Sequence, residues 1–387
     1  MKKSLSLITF ISLILGAIFG LILKENILKI EFLGTFYIKL LKYLILPVIF
    51  TSITSSIYTS RSYQGKLVFK TILLFILMFV CSFIISSIVI FIIDPTKGFL
   101  FTNIDSDINT NNIDATSVLF NILPKDIIGI LEGKYLLFII IVSYITGYLS
   151  SLLKLDRFIN GINKIKEYLF KFLEYLTYYA PIAVFSLIGV SVYKFGIDSL
   201  LTGLRYILSA YIAGIIVLIV VLILPLKIKG INLIDYLKKI YSLWLITIST
   251  CSSAASLPYT LKLCKDDLKL NEKISDVVVP LGCTINMCGG AVSFSLLAIF
   301  CTKLFGIEIT FNLYLMMLVN ATLLNMAAPG IPGGGIVIGA TYLQGLGIPL
   351  QFIGLYSGIY KILDMLYTSI NVTGDVSATV LLNKENI

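Results

Sequence analysis

The sequence predicts an all-α membrane protein of many spans, and three observations carry that expectation. Of 387 residues, 58% are hydrophobic and only 13% are charged, with a mean hydropathy of +0.97, beyond the balance of a soluble domain. Apolar runs repeatedly reach the roughly 20 residues a helix needs to cross the hydrocarbon core, whereas barrel strands would show as alternating segments of about 10. The net charge of +9 sits mostly in short stretches between those runs, where the positive-inside rule places Lys and Arg. Nucleic acid is therefore not the partner this charge implies. Six cysteines without a CxxC pair and no histidine leave no metal site of the usual spacing. The cysteines read as small hydrophobes.

Each span follows in turn. The start, MKKSLSLITFISLILGAIFGLILK, is basic and then apolar, but its run from Leu5 to Leu23 is longer than a signal-peptide core and lacks a clear small-residue cleavage site. It reads as an uncleaved first span with its N-terminus in the cytoplasm. A loop with Lys24, Glu25, Lys29 and Glu31 precedes a second span over 33–58. SRSYQGK, with Arg61 and Lys66, leads to a third over 68–93. The following segment carries Asp94, Asp105, Asp107 and Asp114 against Lys97 and should face outward. The next apolar block runs to about 153, and its basic exit holds Lys154, Arg157, Lys164, Lys166 and Lys171. Two further spans and a second basic loop, KIKGINLIDYLKKI, complete six spans over 4–227 of a multi-pass protein of the cell inner (plasma) membrane.

The last 150 or so residues are organised differently. Three apolar stretches are broken by small and helix-ending residues: STCSSAASLP (249–258), GCTINMCGGA (282–291) and NMAAPGIPGGGI (325–336). Non-helical backbone at membrane depth persists only where protein or a watery cavity satisfies it. Such interruptions point to a transporter's binding site, where helix N-termini meet anions and unwound carbonyls hold cations. DMLYTSINVTGD (364–375) adds a polar stripe, because Asp364, Thr368, Asn371 and Asp375 fall at i, i+4, i+7 and i+11 of one helix face. Ionisable groups inside a membrane segment mark substrate or ion paths, and Asn and Asp oxygens suit a hard cation. An interhelical hydrogen-bond network, worth about 1 kcal/mol per bond, is the plainer alternative. A salt bridge from Lys361, about 60° round the helix from Asp364, is another.

These pieces, in this order, resemble the dicarboxylate/amino acid:cation symporter family, the glutamate transporter homologues. SSAASLP is similar to the tip of that family's first re-entrant hairpin, TINMCGG to its NMDGT helix break, PGIPGGG to its second hairpin tip, and DMLYTSINVTGD to its final helix. YLILPVIFTSITSSI (43–57) extends the resemblance into the second span. It implies eight transmembrane helices plus two re-entrant helical hairpins, in a homotrimer whose mobile transport domains carry substrate across by an elevator motion. The implied division is scaffold spans one and two in 1–66, a third span and outer loop in 67–115, scaffold and connecting spans in 116–228, and a transport core in 229–387. Ser252 and Ser253 with Asn371 would meet the substrate's α-carboxylate. Asp364 and Thr368 would take its α-amino group, and the Ile331 and Gly335 region would close as the gate.

The departures from the family pattern set the expected substrate. Acidic-substrate members hold the side-chain carboxylate with an arginine that is Tyr367 here, and the assisting threonine is Gly290. The arginine that some members carry ahead of the hairpin serines falls at Cys251. A buried carboxylate without a cationic partner is penalised by several kcal/mol. A neutral amino acid is therefore expected, with glutamate or aspartate, rescued by Lys361, as the alternative. One family sodium site maps onto Gly282, Asn286, Asn371 and Asp375. Another has Cys288, Phe75, Met78 and Phe79 at its ligand positions, which do not suit hard sodium, so fewer sodium ions are expected. A third, near Met287 and Asn325, is built from backbone. Protons instead of sodium would have to use a carboxylate such as Asp364. An enzyme is disfavoured, because Ser252 and Ser253 have no histidine base and no GxSxG elbow or phosphate loop is present. A passive channel, whose flux would ignore an opposing ion gradient, is the remaining competitor.

Overall fold

In the computed structural model, residues 2–62, 66–97, 136–196, 198–325 and 334–383 are described. All regular structure among them is helical. The first half holds α1 (Lys2–Leu23), α2 (Glu31–Ser62), α3 (Lys66–Ile93), α4 (Leu136–Leu152), α5 (Asp156–Phe195) and α6 (Asp198–Val217). A π-turn (Leu218–Ile223) and a 3-10 run (Leu224–Lys229) prolong α6. The acidic outward segment lies almost wholly outside the described residues.

Two basic stretches expected as loops are helical. Residues 156–171 form the start of the 40-residue α5, because the pattern there is amphipathic. Ile159 and Ile162 turn inward while Arg157, Lys164 and Lys171 stay exposed. KIKGINLIDYLKKI bends only at Gly230, in the left-handed region at φ 73°. Asn232 Oδ1 then accepts Ile234 N at 3.0 Å and Asp235 N at 3.4 Å, capping a new helix. Charge alone marks a water-facing segment, and a solvated helix face satisfies that as well as a loop does.

The second half comprises α7 (Leu233–Thr250), α8 (Ser253–Lys262), α9 (Glu272–Ile285), α10 (Cys288–Leu304), α11 (Phe311–Asn325), α12 (Gly334–Gly345) and α13 (Phe352–Leu382). The three expected interruptions fall between α7 and α8, α9 and α10, and α11 and α12. Residues 326–333 of the last lie outside the described set.

Packing sorts the helices into two groups. Helices α1 and α2 lie along α5, with α4 on α2. Gly16 and Gly20 of α1 bring its backbone against Phe185 and Gly189 of α5, where added methyl groups would collide. In the other group α3 runs along α10, and α13 touches α6, α7, α9 and α10. Helix α13 is central, with 25 of its 31 residues buried. It meets the first group where Gly354 and Gly358 receive Leu187 and Val184 of α5.

Four segments among the described residues are long and apolar enough to cross a membrane: Ile11–Tyr37, Lys66–Ile93, Leu200–Lys229 and Glu272–Leu304. Their surroundings differ. Only 17% of the most apolar window of the first is buried by protein, against 89% for Glu272–Leu304. Glu272–Leu304 is thus an interior element, and its break at 286–287 sits within protein, where unwound backbone can be satisfied.

Candidate functional site

The helix breaks and the polar stripe meet at one cavity of about 60 Å³. Cys251 and Ser253 approach it from the α7–α8 break, Met287 and Gly290 from the α9–α10 break, Gly335 from α12, and Tyr360, Asp364, Tyr367, Thr368 and Asn371 from α13. Ser293 and Phe294 of α10 and Ile338 of α12 complete the lining. Of the residues expected to hold substrate, Ser253, Gly290, Gly335, Asp364, Tyr367, Thr368 and Asn371 are therefore together. Ile331 lies outside the described residues. Ser252 does not line the cavity: its Oγ accepts Ala255 N at 3.2 Å and caps α8.

The α7–α8 break has a local cause. Cys251 ends α7 in the left-handed region at φ 48° and Ser252 is extended, so α8 restarts with its N-terminus beside the cavity. Its first turn offers amides and the positive end of the helix dipole. Across the cavity, Asp364 is 7% exposed. Tyr360 Oη and Thr368 Oγ1 both donate to its Oδ1, at 3.4 and 3.3 Å. A negative group thus faces a helix N-terminus, the two complements of a zwitterion.

Asn371 ties α13 to the α9–α10 break. Its Oδ1 accepts Gly289 N at 2.7 Å, and its Nδ2 donates to Met287 Sδ at 3.2 Å. One turn further, Asn286 Nδ2 donates to Asp375 Oδ1 at 2.9 Å and to the Asn371 carbonyl at 3.3 Å. Glycine permits this approach, since a Cβ on Gly282 would overlap Asp375 Oδ1 and one on Gly289 would overlap the Tyr367 carbonyl. Gly282, Asn286, Asn371 and Asp375, the expected sodium ligands, therefore converge. No cluster of three His, Cys, Asp or Glu side chains occurs among the described residues. A cation there would meet one carboxylate, with amide and backbone oxygens completing the set.

The second expected ion position is packed differently. Phe75, Met78 and Phe79 are at most 4% exposed, and the Phe75 ring abuts Gly282. The Cys288 thiol donates to Asn286 Oδ1 at 3.1 Å. These side chains form core between α3 and α10. Lys361 is half-buried with its ammonium toward Cys251 rather than in the cavity lining.

Not all the polarity of α13 faces the cavity. Thr247 Oγ1 meets Ser369 Oγ at 2.7 Å, Trp244 Nε1 donates to Thr373 Oγ1 at 2.9 Å, and Tyr236 Oη meets Ser377 Oγ at 3.1 Å. These bonds hold α7 to α13 through Ser369, Thr373 and Ser377, which lie off the stripe. Behind the cavity lining, Tyr206 of α6 reaches toward Tyr367, and Ser293 Oγ meets Tyr356 Oη at 2.8 Å. Nothing in the sequence singles out Tyr206, one of 22 tyrosines, inside an apolar run.

Comparison with known proteins decides the family. The sequence profile of the Sodium:dicarboxylate symporter family matches residues 5–385. The chain belongs to that family. A member of the Sodium:dicarboxylate symporter family is a membrane transporter and not an enzyme. The chain is 28% identical to the proton/sodium-glutamate symport protein of Geobacillus stearothermophilus, over 97% of this chain and 93% of that one. It is 24% identical to the proton/glutamate-aspartate symporter of Bacillus subtilis (strain 168), covering 99% and 95%. It is 26% identical to the C4-dicarboxylate transport protein 1 of Ralstonia nicotianae (strain ATCC BAA-1114 / GMI1000), covering 99% and 93%.

Proposed function

We propose that this family member is a cation-coupled symporter of a neutral amino acid in the plasma membrane. One observation carries the reading: Asp364 and the N-terminus of α8 face each other across a cavity whose third side is Tyr367, with no arginine or lysine among the described lining residues. Asp364 with Thr368 would take the ammonium, and Ser253, Asn371 and the first amides of α8 the carboxylate. An acidic side chain would then be desolvated beside Tyr367 without a counter-charge, at a cost of several kcal/mol. Sodium would be held by Gly282 and Asn371 carbonyls with Asn286 and Asp375. The apolar packing of Phe75, Met78 and Phe79 beside Cys288 argues for fewer sodium ions per cycle than a full set.

The finer architecture belongs to the same proposal: eight transmembrane helices with two re-entrant hairpins, α7–α8 and α11–α12, and a cytoplasmic N-terminus. The α1, α2, α4, α5 group would be the static scaffold of a homotrimer, and α3 with α6–α13 the part that moves. Exposed Phe158, Ile165, Tyr168, Phe172, Tyr175 and Ile182 on α5 follow a heptad spacing suited to packing against another copy.

A second reading is an acidic substrate coupled to sodium or protons. The names of the three relatives favour it, and so does Lys361, whose ammonium sits behind the cavity-lining Cys251. A passive channel has no such observation behind it.

A thermal-shift screen of purified protein against the common amino acids, with and without sodium, separates these readings, because a ligand that binds only the native state raises its stability. The expected result is stabilisation by neutral amino acids that grows with sodium. Stabilisation by glutamate or aspartate alone overturns the neutral reading and makes Lys361 the first residue to mutate.

A further inference from the structure

Away from the cavity, α2 and α5 are joined near one end by a short polar chain. Lys166 stands on the inward face of α5 with the buried Ile159 and Ile162, about 100° round the helix from the exposed Ile165. Its ammonium donates to Ser55 Oγ of α2 at 2.9 Å, and Ser55 Oγ passes its own proton to Asn163 Oδ1 at 2.7 Å. Because the chain runs one way, donors accumulate: an ammonium carries three protons and a carboxamide nitrogen two. Among the described residues no ion pair reaches Lys166, and no acceptor takes the Asn163 Nδ2 protons. A positive charge drawn between helices in a membrane without an opposite charge is costly, and such groups by default mark a site. One turn along α2 from Ser55, Tyr58 Oη donates to Asp156 and pins the α4–α5 corner beside the chain. At that corner Leu153 and Leu155 are 63% and 43% exposed, and Arg157 is exposed with them.

We propose that Lys166 and Asn163, held in place by Ser55, bind the phosphate of an anionic phospholipid headgroup at the end of the α2–α5 pair. A phosphate offers only acceptors and a negative charge, the complement of this donor-rich group. Basic pockets between membrane helices take such headgroups. The surroundings favour a lipid over a free anion: the exposed leucines at the corner suit acyl chains, and Arg157 suits the charged surface above them. Asp156 is engaged by Tyr58, and Glu167, the neighbouring carboxylate, is exposed. The site lies on a different face of α5 from the heptad row assigned above to a second copy, so both can be occupied. Such a lipid would clamp α2 to α5, and the proposal stands whatever the transported substrate is.

The test is lipid titration of the delipidated full-length protein in mild detergent, followed by thermal unfolding, with phosphatidylglycerol, phosphatidylcholine and inorganic phosphate as probes. Phosphatidylglycerol should reach half-maximal stabilisation at a concentration at least about fivefold lower than phosphatidylcholine, the effect of one lysine on an anionic lipid. Inorganic phosphate should not stabilise. Lys166→Gln, whose amide can still donate to Ser55, should bring the two lipids within about twofold, whereas Lys164→Gln, an exposed charge on the same helix, should leave the ratio intact. Asn163→Ala should reduce the ratio, which gives an independent check if the Lys166 variant folds poorly. Equal affinity for the two lipids overturns the site. An equal loss in Lys164→Gln and Lys166→Gln overturns it too, because that is diffuse surface attraction. Stabilisation by inorganic phosphate that Lys166→Gln abolishes overturns the lipid as occupant.

Discussion

Asp364→Asn should abolish stabilisation by amino acids while leaving the ligand-free protein folded. The side chain keeps its shape, and an amide oxygen can still accept from Tyr360 Oη and Thr368 Oγ1, which now bond Oδ1 at 3.4 and 3.3 Å. What disappears is the charge. Removing one partner of a buried ion pair typically costs about 3–5 kcal/mol, which at about 1.4 kcal/mol per decade is a loss of roughly two to three and a half orders of magnitude in affinity. The ligand-free melting temperature should hold or rise, since the variant no longer buries an ionised carboxylate. Titration calorimetry with the best amino acid from the screen checks this. Affinity within about threefold of wild type would remove Asp364 as the ammonium's partner.

The second large effect is expected at Asp375. This residue, 2% exposed, contacts Gly282 and accepts the Asn286 amide at 2.9 Å. Asp375→Asn leaves a cation with amide and backbone oxygens only, which bind hard ions more weakly than a carboxylate does. The sodium concentration for half-maximal stabilisation should rise about tenfold or more, and amino acid affinity in saturating sodium should fall less than in Asp364→Asn. An unaltered sodium response would count against the Gly282, Asn286, Asn371, Asp375 site. The two variants thus separate a substrate carboxylate from an ion carboxylate that lie on one helix face three turns apart.

Much of the site was legible because it is local. The stripe from Asp364 to Asp375 follows from helical spacing, and the breaks follow from Ser, Gly and Asn runs that cannot continue an apolar helix. What the sequence does not display is how distant segments meet. Ser252 looks equivalent to Ser253, but the turn at Cys251 places one as a helix cap and the other at the cavity. Tyr206 stands more than 150 residues from Tyr367 and joins it only because α6 packs on α13. The basic stretch at 154–171 was misleading for a related reason. Its charges report contact with water, while Ile159 and Ile162, which decide that it is helical, look like any other apolar residues in an apolar chain.

The left-handed turn that ends α7 has a practical consequence. It puts Cys251 in the cavity lining, with its thiol donating to the Ile248 carbonyl at 3.6 Å, while Cys264, Cys283, Cys288 and Cys301 are buried elsewhere in the core and Cys81 is half-buried on α3. The wild-type chain thereby carries a chemical reporter at its own binding site. Once Cys81 is replaced by serine, the rate at which a small thiol reagent modifies Cys251 is a clock for how often that site is open.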